Sequence, residues 1–297
     1  MCSTDLPSSV QISPGSVLKD TYRIDAELGS GGMGTVYRCF DPELDRPVAL
    51  KVVSLGDLKQ KEVRERFSRE ARALGRLRHP RIVTVHDFGE DADRGLLYLA
   101  MDLIEGRSLH DLQKGPERIG WRFIVAIAHQ VADALEYAHR RGIVHRDVKP
   151  ANIVIDEHDR ATLVDFGIAK LEASSLTQAG MVLGTPSYLA PEMLSNQGSD
   201  YRADQFSLGT VLIEALAGRK IFAGDSFESV AAQIMIRETP SFAELGIDAP
   251  PTLEGIVRRL HQKDPSARYQ DELELIDDLT IVGLDAGLDL HRAETHS

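Results

Sequence analysis

The chain has 297 residues, enough for one large domain or two lobes, and 42% of them are hydrophobic while 27% are charged. That balance excludes an intrinsically disordered chain and allows a sizeable core to form. Lys and Arg number 34 against 46 Asp and Glu, a formal net charge of -12. This charge disfavours nucleic acid as a partner, because its phosphates are anionic.

Cysteine content and the terminal segments indicate where the protein works. Only Cys2 and Cys39 are present, which excludes a disulfide framework or a four-thiolate metal site and favours a reducing compartment. No apolar run approaches the roughly 18 residues of a membrane span, and a signal-peptide pattern is lacking at the start. We therefore expect a cytoplasmic protein without a membrane span. Residues 1–18, rich in Ser and Pro, are expected to form a flexible leader, residues 19–284 the folded domain, and residues 285–297 a tail.

The first half of the domain carries mainly strand signals. Short apolar runs with β-branched residues predict strands over 22–28, 35–40, 47–53, 81–88 and 95–103. One helix is predicted over about 58–77, because apolar residues recur there every three or four positions, namely Val63, Phe67, Ala71, Leu74 and Leu77.

The second half carries mainly helix signals. Helices are predicted over about 121–140, 204–217, 226–237, 253–261 and 271–282, with short strands over 143–145, 152–155 and 162–166. The predicted fold class is therefore α+β, with a small β-rich part over about 19–102 and a larger, mainly helical part over about 107–284. A ligand cleft is expected at the joint, near residues 101–106.

A glycine-rich turn lies early in the first half. The residues Gly29, Ser30, Gly31, Gly32, Met33 and Gly34 spell GxGxxG, which alone is a weak signal. A dinucleotide-binding turn would open a helix and have an acid about 20 residues later, whereas here a β-branched segment and then Lys51 follow. The favoured alternative is a hairpin whose glycines let backbone N–H groups approach phosphates.

Lys51 follows the apolar run Val48, Ala49, Leu50. A buried ammonium group is costly unless a carboxylate and an anionic ligand accompany it. Glu70 on the predicted helix is the candidate partner, with Glu62 and Glu65 as alternatives. The other interpretation is an edge lysine whose ammonium group reaches water.

Two polar motifs follow in the second half. HRDVKPAN places His145, Arg146, Asp147, Lys149 and Asn152 in one irregular stretch, although asparagine occurs only twice in the chain. The triplet 165–167, Asp-Phe-Gly, follows a second apolar run. Polar, irregular segments that follow apolar strands indicate a functional site.

With these motifs in this order, the chain resembles eukaryotic-type (Hanks-type) protein serine/threonine kinases, most closely the bacterial members. The resemblance covers about residues 20–282 and includes GTPSYLAPE at 184–192 and Arg268. It implies a two-lobed protein kinase fold: a small β-rich N-terminal lobe with one key helix, a hinge over 102–106, and a larger, mainly helical C-terminal lobe.

The resemblance also implies roles for individual residues in the transfer of the γ-phosphoryl group of ATP to Ser or Thr of protein substrates. Asp147 would accept the proton of the substrate hydroxyl, and Lys149 would stabilise the γ-phosphate. Asn152 and Asp165 would hold Mg²⁺, with Mn²⁺ as an alternative metal, since hard cations prefer oxygen ligands.

The ATP-binding residues implied by the resemblance lie mainly in the first half. Lys51, held by Glu70, would bind the α- and β-phosphates, and Met101 would be the gatekeeper. Ordinary core packing is the alternative interpretation for the apolar members. The set comprises Leu28, Gly29, Ser30, Gly31, Gly32, Met33, Gly34, Val36, Ala49, Lys51, Glu70, Met101, Asp102, Leu103, Ile104 and Val154.

Regulation is expected at the segment after residue 165. We expect Arg146, beside Asp147, to be a buried cation that attracts a phosphorylated residue. Lys170 would be a second such cation. By resemblance to bacterial relatives, Thr177 is the expected autophosphorylation site.

Three structural predictions accompany the motifs. By resemblance, Glu192 and Arg268 would form a buried ion pair, and His145 would be structural and not a base. Asp204 is expected to cap its helix and also to hold the backbone of the HRD motif.

Two other functions remain open at this stage. A pseudokinase would keep the nucleotide pocket but lose Lys51, Asp147 or Asp165, and none is lost. A small-molecule kinase is disfavoured by GTPSYLAPE, which serves peptide docking in the family. The resemblance also allows a homodimer formed through the small lobe, although no patch in the sequence predicts one.

Overall fold

The computed structural model describes residues 12–31, 34–54, 60–116, 118–167, 186–195, 198–288 and 290. These residues fall into two compact units. The first comprises the described parts of 1–78 and 83–104, and the second those of 79–82, 105–167 and everything after residue 185. Along the expected joint, the chain leaves the first unit after Ile104.

The first unit is built on an antiparallel sheet. Its described strands run in the order β1-β2-β3-β4-β6-β5, and every neighbouring pair is antiparallel. The elements are β1 (Val17–Leu18), β2 (Tyr22–Gly31), β3 (Gly34–Asp41), β4 (Arg46–Ser54), α1 (Gln60–Leu74), β5 (Val85–Asp91) and β6 (Leu96–Asp102).

Side chains along β4 point alternately into the buried core of this unit and toward the opposite face of the sheet. Side chains two residues apart in a strand point the same way. Val48, Leu50 and Val52 belong to one buried cluster, whereas Ala49 and Lys51 point away from it. The cluster also contains Ile12, Leu18, Tyr22, Ile24, Tyr37, Cys39, Leu96, Tyr98 and Ala100.

The second unit is mainly helical. Its described elements are β7 (Arg107–Ser108), α2 (Leu109–Gln113), α3 (Trp121–His139), β8 (Ile153–Ile155), β9 (Ala161–Leu163), α4 (Pro191–Leu194), α5 (Arg202–Ala217), α6 (Phe227–Ile236), α7 (Phe242–Leu245), α8 (Pro251–Leu260) and α9 (Glu272–Asp285). Helix α5 is buried on all sides from Ala203 to Ala217, as expected of a helix at the centre of a unit. None of the helices in the described ranges is both long and apolar enough to cross a membrane.

The predicted leader ends too late. Val17 and Leu18 form β1, which pairs with β2. Leu18 is fully buried, and Ile12 belongs to the core cluster. Two apolar residues within the Ser- and Pro-rich segment therefore join the sheet, because the first unit offers them apolar surface to cover.

The predicted strand over 81–88 is wrong at its beginning. Strand β5 starts only at Val85, and residues 79–82 belong to the second unit. There the amide of Leu163 donates to the carbonyl of Arg81 at 2.8 Å, and Ile82 forms an isolated parallel bridge with Leu163. One continuous apolar run thus serves two units, which its periodicity does not reveal.

The strand predicted over 143–145 is also wrong, since these residues have no regular structure. The amide of His145 donates to a side chain, the Asp204 carboxylate, at 2.7 Å. Its carbonyl accepts from the amide of Gly167 at 3.0 Å. Because the backbone groups of His145 are already hydrogen-bonded, they are not available to pair with a neighbouring strand.

Candidate active site

The glycine-rich segment forms the predicted hairpin. Strands β2 and β3 pair Gly29 with Val36, Ser30 with Thr35 and Gly31 with Gly34. Gly32 and Met33 lie outside the described residues. Gly34 has a φ of 127°, a backbone conformation that strongly favours glycine.

Replacing Gly34 by alanine is expected to strain this hairpin. A Cβ atom at that position would overlap the backbone carbonyl oxygen of Val52 on β4. We expect Gly34→Ala to lower the free energy of unfolding by about 1–3 kcal/mol, as measured by denaturant titration. Gly31→Ala is the matched control, since its Cβ would meet nothing within 4 Å. Equal stability of the two variants would contradict the expectation.

Lys51 lies on the face of the sheet opposite the core cluster. Strand β4 is central, between β3 and β6, and Lys51 is only 4% exposed. The interpretation as an edge lysine reaching water is therefore wrong. Its cross-strand partners are Val36 and Leu99, while Ala49 is paired with Met101. Four predicted ATP-binding residues thus share one face, since paired residues in a sheet point to the same side.

Burial distinguishes the three acids proposed as partners of Lys51. Glu62 and Glu65 on α1 are exposed, whereas Glu70 is half-buried. Glu70 lies beside Ala71, which is fully buried. Burial therefore favours Glu70 among the three carboxylates as the compensating charge, and it remains the predicted partner.

The end of β6 presents the predicted adenine-binding backbone. The amide of Asp102 donates to the carbonyl of Thr84 at 3.0 Å, so adenine would have to use the Asp102 carbonyl. The Asp102 carboxylate lies 2.6 Å from Nε2 of His86. Leu103 and Ile104 follow and are half-buried. Leu28 is exposed on β2.

In the second unit, three predicted catalytic residues meet. The ammonium group of Lys149 donates to Oδ2 of Asp147 at 2.7 Å. The amide nitrogen of Asn152 donates to the same oxygen at 3.0 Å and to the Asp147 backbone carbonyl at 2.9 Å. Asp147 is 8% exposed. Two donors therefore fix the orientation of a nearly buried carboxylate.

The backbone before Asp147 is held by Asp204. One carboxylate oxygen of Asp204 accepts from the amide of His145 at 2.7 Å and the other from the amide of Arg146 at 2.8 Å. The prediction that Asp204 holds this loop is confirmed. The prediction that it caps its helix is wrong, because the N-cap residue is Tyr201 and Asp204 lies in the first turn of α5.

Arg146 has a left-handed backbone conformation with a φ of 62°, which is uncommon for a residue other than glycine. Its side chain is exposed, so the prediction of a buried cation is wrong. The left-handed backbone at Arg146 allows Asp204 to bind two consecutive amides while the side chain points outward.

Asn152 and Asp165 fit a site for Mg²⁺. The amide of Val164 donates to the carbonyl of Asn152 at 2.9 Å, which brings the Asp165 segment beside it. The Asn152 amide nitrogen faces Asp147, and the amide oxygen of Asn152 and the carboxylate of Asp165 are oxygen ligands of the kind that Mg²⁺ prefers. Within the described part of the chain, no group of three or more His, Cys, Asp or Glu side chains is placed to hold a metal ion by itself.

His145 is structural, as predicted. It is fully buried, and its ring lies 4.3 Å from that of Phe166 between centroids. Burial holds the pKa of the His145 imidazole below its usual value, so the ring is a poor proton carrier at neutral pH. Val154, predicted to contact adenine, is half-buried on β8.

The segment after residue 185 is anchored by buried polar contacts. The hydroxyl of Ser187 donates to the carbonyl of Phe222 at 3.0 Å, and that of Tyr188 to the carboxylate of Glu214 at 2.7 Å. The predicted ion pair is confirmed as a bidentate contact, with Arg268 nitrogens 2.7 and 2.8 Å from the two Glu192 oxygens.

Comparison with known proteins establishes the family. The family model of the protein kinase domain matches residues 22–275 of this chain. The chain belongs to the protein kinase family. Like its relatives below, it is a protein serine/threonine kinase.

Bacterial kinases are among the relatives of this kinase. It is 37% identical over 276 residues to serine/threonine-protein kinase PknL of Mycobacterium tuberculosis, covering 92% of this chain and 68% of PknL. It is 39% identical over 260 residues to PknA of the same organism, covering 86% of this chain and 60% of PknA. The crystal structure of the Mycobacterium tuberculosis PknI kinase domain matches with a TM-score of 0.72 at 32% identity, covering 92% of this chain and 100% of that one.

Two predicted regulatory residues cannot be placed, and two buried residues beside the site were not predicted. Lys170 and Thr177 fall outside the described residues. The sequence did not predict His139 or Glu272. His139 contacts the carboxylates of both Glu272 and Asp204. Neither His139 nor Glu272 belongs to the glycine-rich, HRDVKPAN, Asp-Phe-Gly or GTPSYLAPE motif, and only their burial next to Asp204 distinguishes them.

Proposed function

We propose that the kinase transfers the γ-phosphoryl group of ATP, bound with Mg²⁺, to the hydroxyl of Ser or Thr in protein substrates. The observation that carries this proposal is the Asp147 carboxylate, nearly buried and oriented by Lys149 and Asn152 at 2.7 and 3.0 Å. A carboxylate held in this way is suited to receive a proton from a bound alcohol.

In the proposed reaction a bond forms between the substrate oxygen and the γ-phosphorus, and the bond from that phosphorus to the bridging oxygen of ADP breaks. Asp147 orients the hydroxyl and accepts its proton. Lys149, hydrogen-bonded to Asp147, places a positive charge where the transferred group carries negative charge.

ATP supplies the phosphoryl group, and Mg²⁺ neutralises part of its charge. Asn152 and Asp165 are the proposed ligands of the cation, with Mn²⁺ as an alternative. In the first unit, the buried Lys51 is the proposed contact of the α- and β-phosphates, and the backbone at Asp102, Leu103 and Ile104 that of adenine.

Autophosphorylation at Thr177 is part of the proposal. It is supported by the resemblance to bacterial members. The Arg146 side chain is exposed and is the first proposed cation for a phosphate on another part of the chain, with Lys170 as the second.

The test is incubation of the chain with radiolabelled ATP and myelin basic protein as the acceptor. We expect label in the acceptor and in the chain only when Mg²⁺ or Mn²⁺ is added, and its complete loss with a chelator. Mass spectrometry is expected to find phosphate on Thr177. Label that does not depend on a divalent cation would contradict the role of the metal, and labelling only at other residues would contradict Thr177.

A further inference from the structure

A buried imidazole between two carboxylates lies next to the segment 145–152, called the catalytic loop below. His139 is the last residue of α3, and its Nε2 lies 2.8 Å from Oδ2 of Asp204. Its Nδ1 lies 2.6 Å from Oε1 of Glu272, the first residue of α9. All three side chains are buried.

The Asp204 end of this cluster contacts the loop that carries Asp147. The same carboxylate accepts hydrogen bonds from the backbone amides of His145 and Arg146. Arg146, directly before Asp147, has a left-handed backbone that its surroundings must hold in place. A displacement of Asp204 would therefore be transmitted to Asp147.

We propose that Glu272 is a positioning residue for phosphoryl transfer: together with Asp204 it holds the His139 ring as an imidazolium, and this cation fixes Asp204 against the backbone of the catalytic loop. The proposal rests on the proposed role of Asp147. Glu272 touches neither the substrate nor the reacting atoms and acts only through His139 and Asp204.

The charge of the ring follows from its two contacts. A neutral imidazole donates through only one nitrogen, whereas both nitrogens of His139 face carboxylate oxygens. Burial alone would lower the pKa of His139, but its hydrogen bonds with Asp204 and Glu272 raise it to about 9. The doubly protonated ring therefore satisfies both acceptors at neutral pH.

Among the described residues, few other titratable groups surround the ring. From the segment before α5, the Tyr201 ring lies 5.6 Å from that of His139 between centroids. His145, beyond Asp204, is itself buried, which holds its pKa below the usual value. Gln205 on α5 donates to Glu272 at 3.4 Å and carries no charge. Asp204 and Glu272 are thus the carboxylates hydrogen-bonded to His139.

Loss of the Glu272 charge would leave one carboxylate for a buried cation. An opposite charge at this distance shifts a pKa by about 1–3 pH units. Without it, the His139 ring loses its proton closer to neutral pH and needs only one acceptor. Asp204 then loses its cationic partner, and the amides of the catalytic loop are held less firmly.

The test compares the full chain with its Glu272→Gln variant, which keeps the shape of the side chain but removes its charge. Nitrogen NMR of the histidine rings is expected to report a doubly protonated His139 at pH 7.5 in the wild type, and a pKa lower by about 1 pH unit or more in the variant. At pH 8, kcat toward myelin basic protein is expected to fall about tenfold or more, with KM for ATP within about twofold. At pH 6, where the ring is protonated again, the loss should shrink.

Glu274→Gln is the matched control. Glu274 lies in the same first turn of α9 and forms an exposed ion pair with Arg259 at 2.6 Å, so it shares the helix position but not the cluster. We expect wild-type kcat and an unchanged His139 titration.

The outcomes separate this proposal from the proposed function. A neutral His139 in the wild type at pH 7.5 would overturn the proposal even if Glu272→Gln failed to fold. A folded Glu272→Gln variant with an unchanged kcat at pH 8 would also overturn it. Failure of the proposed role of Asp147 would appear instead as an active Asp147→Asn chain, without any effect on the His139 titration.

Discussion

Asp147→Asn is expected to lower kcat for protein phosphorylation by at least about a hundredfold, with KM for ATP changed by no more than a few fold. The amide has nearly the same shape as the carboxylate, and the backbone carbonyl of Asp147 keeps its bond from Asn152. It is a far weaker proton acceptor, however, and it ends the ion pair with Lys149. The substitution should therefore raise the free energy of the transition state while leaving ATP binding nearly unchanged.

Initial-rate assays with radiolabelled ATP measure this effect. Asp277→Asn is the matched control, because it makes the same change at an exposed position of α9 and is expected to keep full activity. Thermal unfolding of the Asp147 variant should stay within a few degrees of the wild type. A folded Asp147→Asn variant with wild-type kcat would rule out this residue as the proton acceptor.

Arg268→Ala is expected to lower the free energy of unfolding by about 3–5 kcal/mol, a large part of the roughly 5–15 kcal/mol that stabilises a typical domain. The guanidinium side chain is 0% exposed and that of Glu192 only 7%. Removal of the guanidinium would leave a buried carboxylate without its cation. It would also leave the carbonyls of Arg202 and Gln262, now bound at 2.6 and 2.8 Å, without this donor.

Denaturant titration, followed by circular dichroism, measures this loss. Arg258→Ala removes a partly exposed partner of Glu254 one helical turn away, and such pairs contribute about 0–1 kcal/mol. We expect the two arginine variants to differ by at least about 2 kcal/mol. Similar midpoints for both would contradict a structural role for the Glu192–Arg268 pair.

Strands and helices were predicted well where a short pattern determines them. Helix α6 was predicted over 226–237, and Ser226 is its N-cap residue while Arg237 follows its last turn. The hairpin at Gly29 to Gly34 was predicted from glycine content and β-branched neighbours. Both depend on interactions between residues close in sequence, so local chemistry is sufficient.

Predictions failed where one segment serves distant parts of the chain. Residues 81 and 82 have strand-forming side chains, but their backbone pairs with Leu163 rather than extending β5. Leu18 lies in a segment of loop-like composition, yet the sheet provides a partner strand and a core for it. In both cases the competing interaction comes from residues that no local pattern contains.

Sequence alone determined which side chains are available for catalysis and in which order they occur: Lys51, Asp147, Lys149, Asn152 and Asp165. Motif spacing carries that information, because in the proposed reaction all five groups act on the same reactants. Tertiary structure alone decided that Lys51 is buried on a central strand, that Arg146 is exposed, and that Glu272 reaches His139 from helix α9. Burial and charge pairing depend on neighbours brought together by folding, and in the Glu272 contact those neighbours are separated by more than a hundred residues.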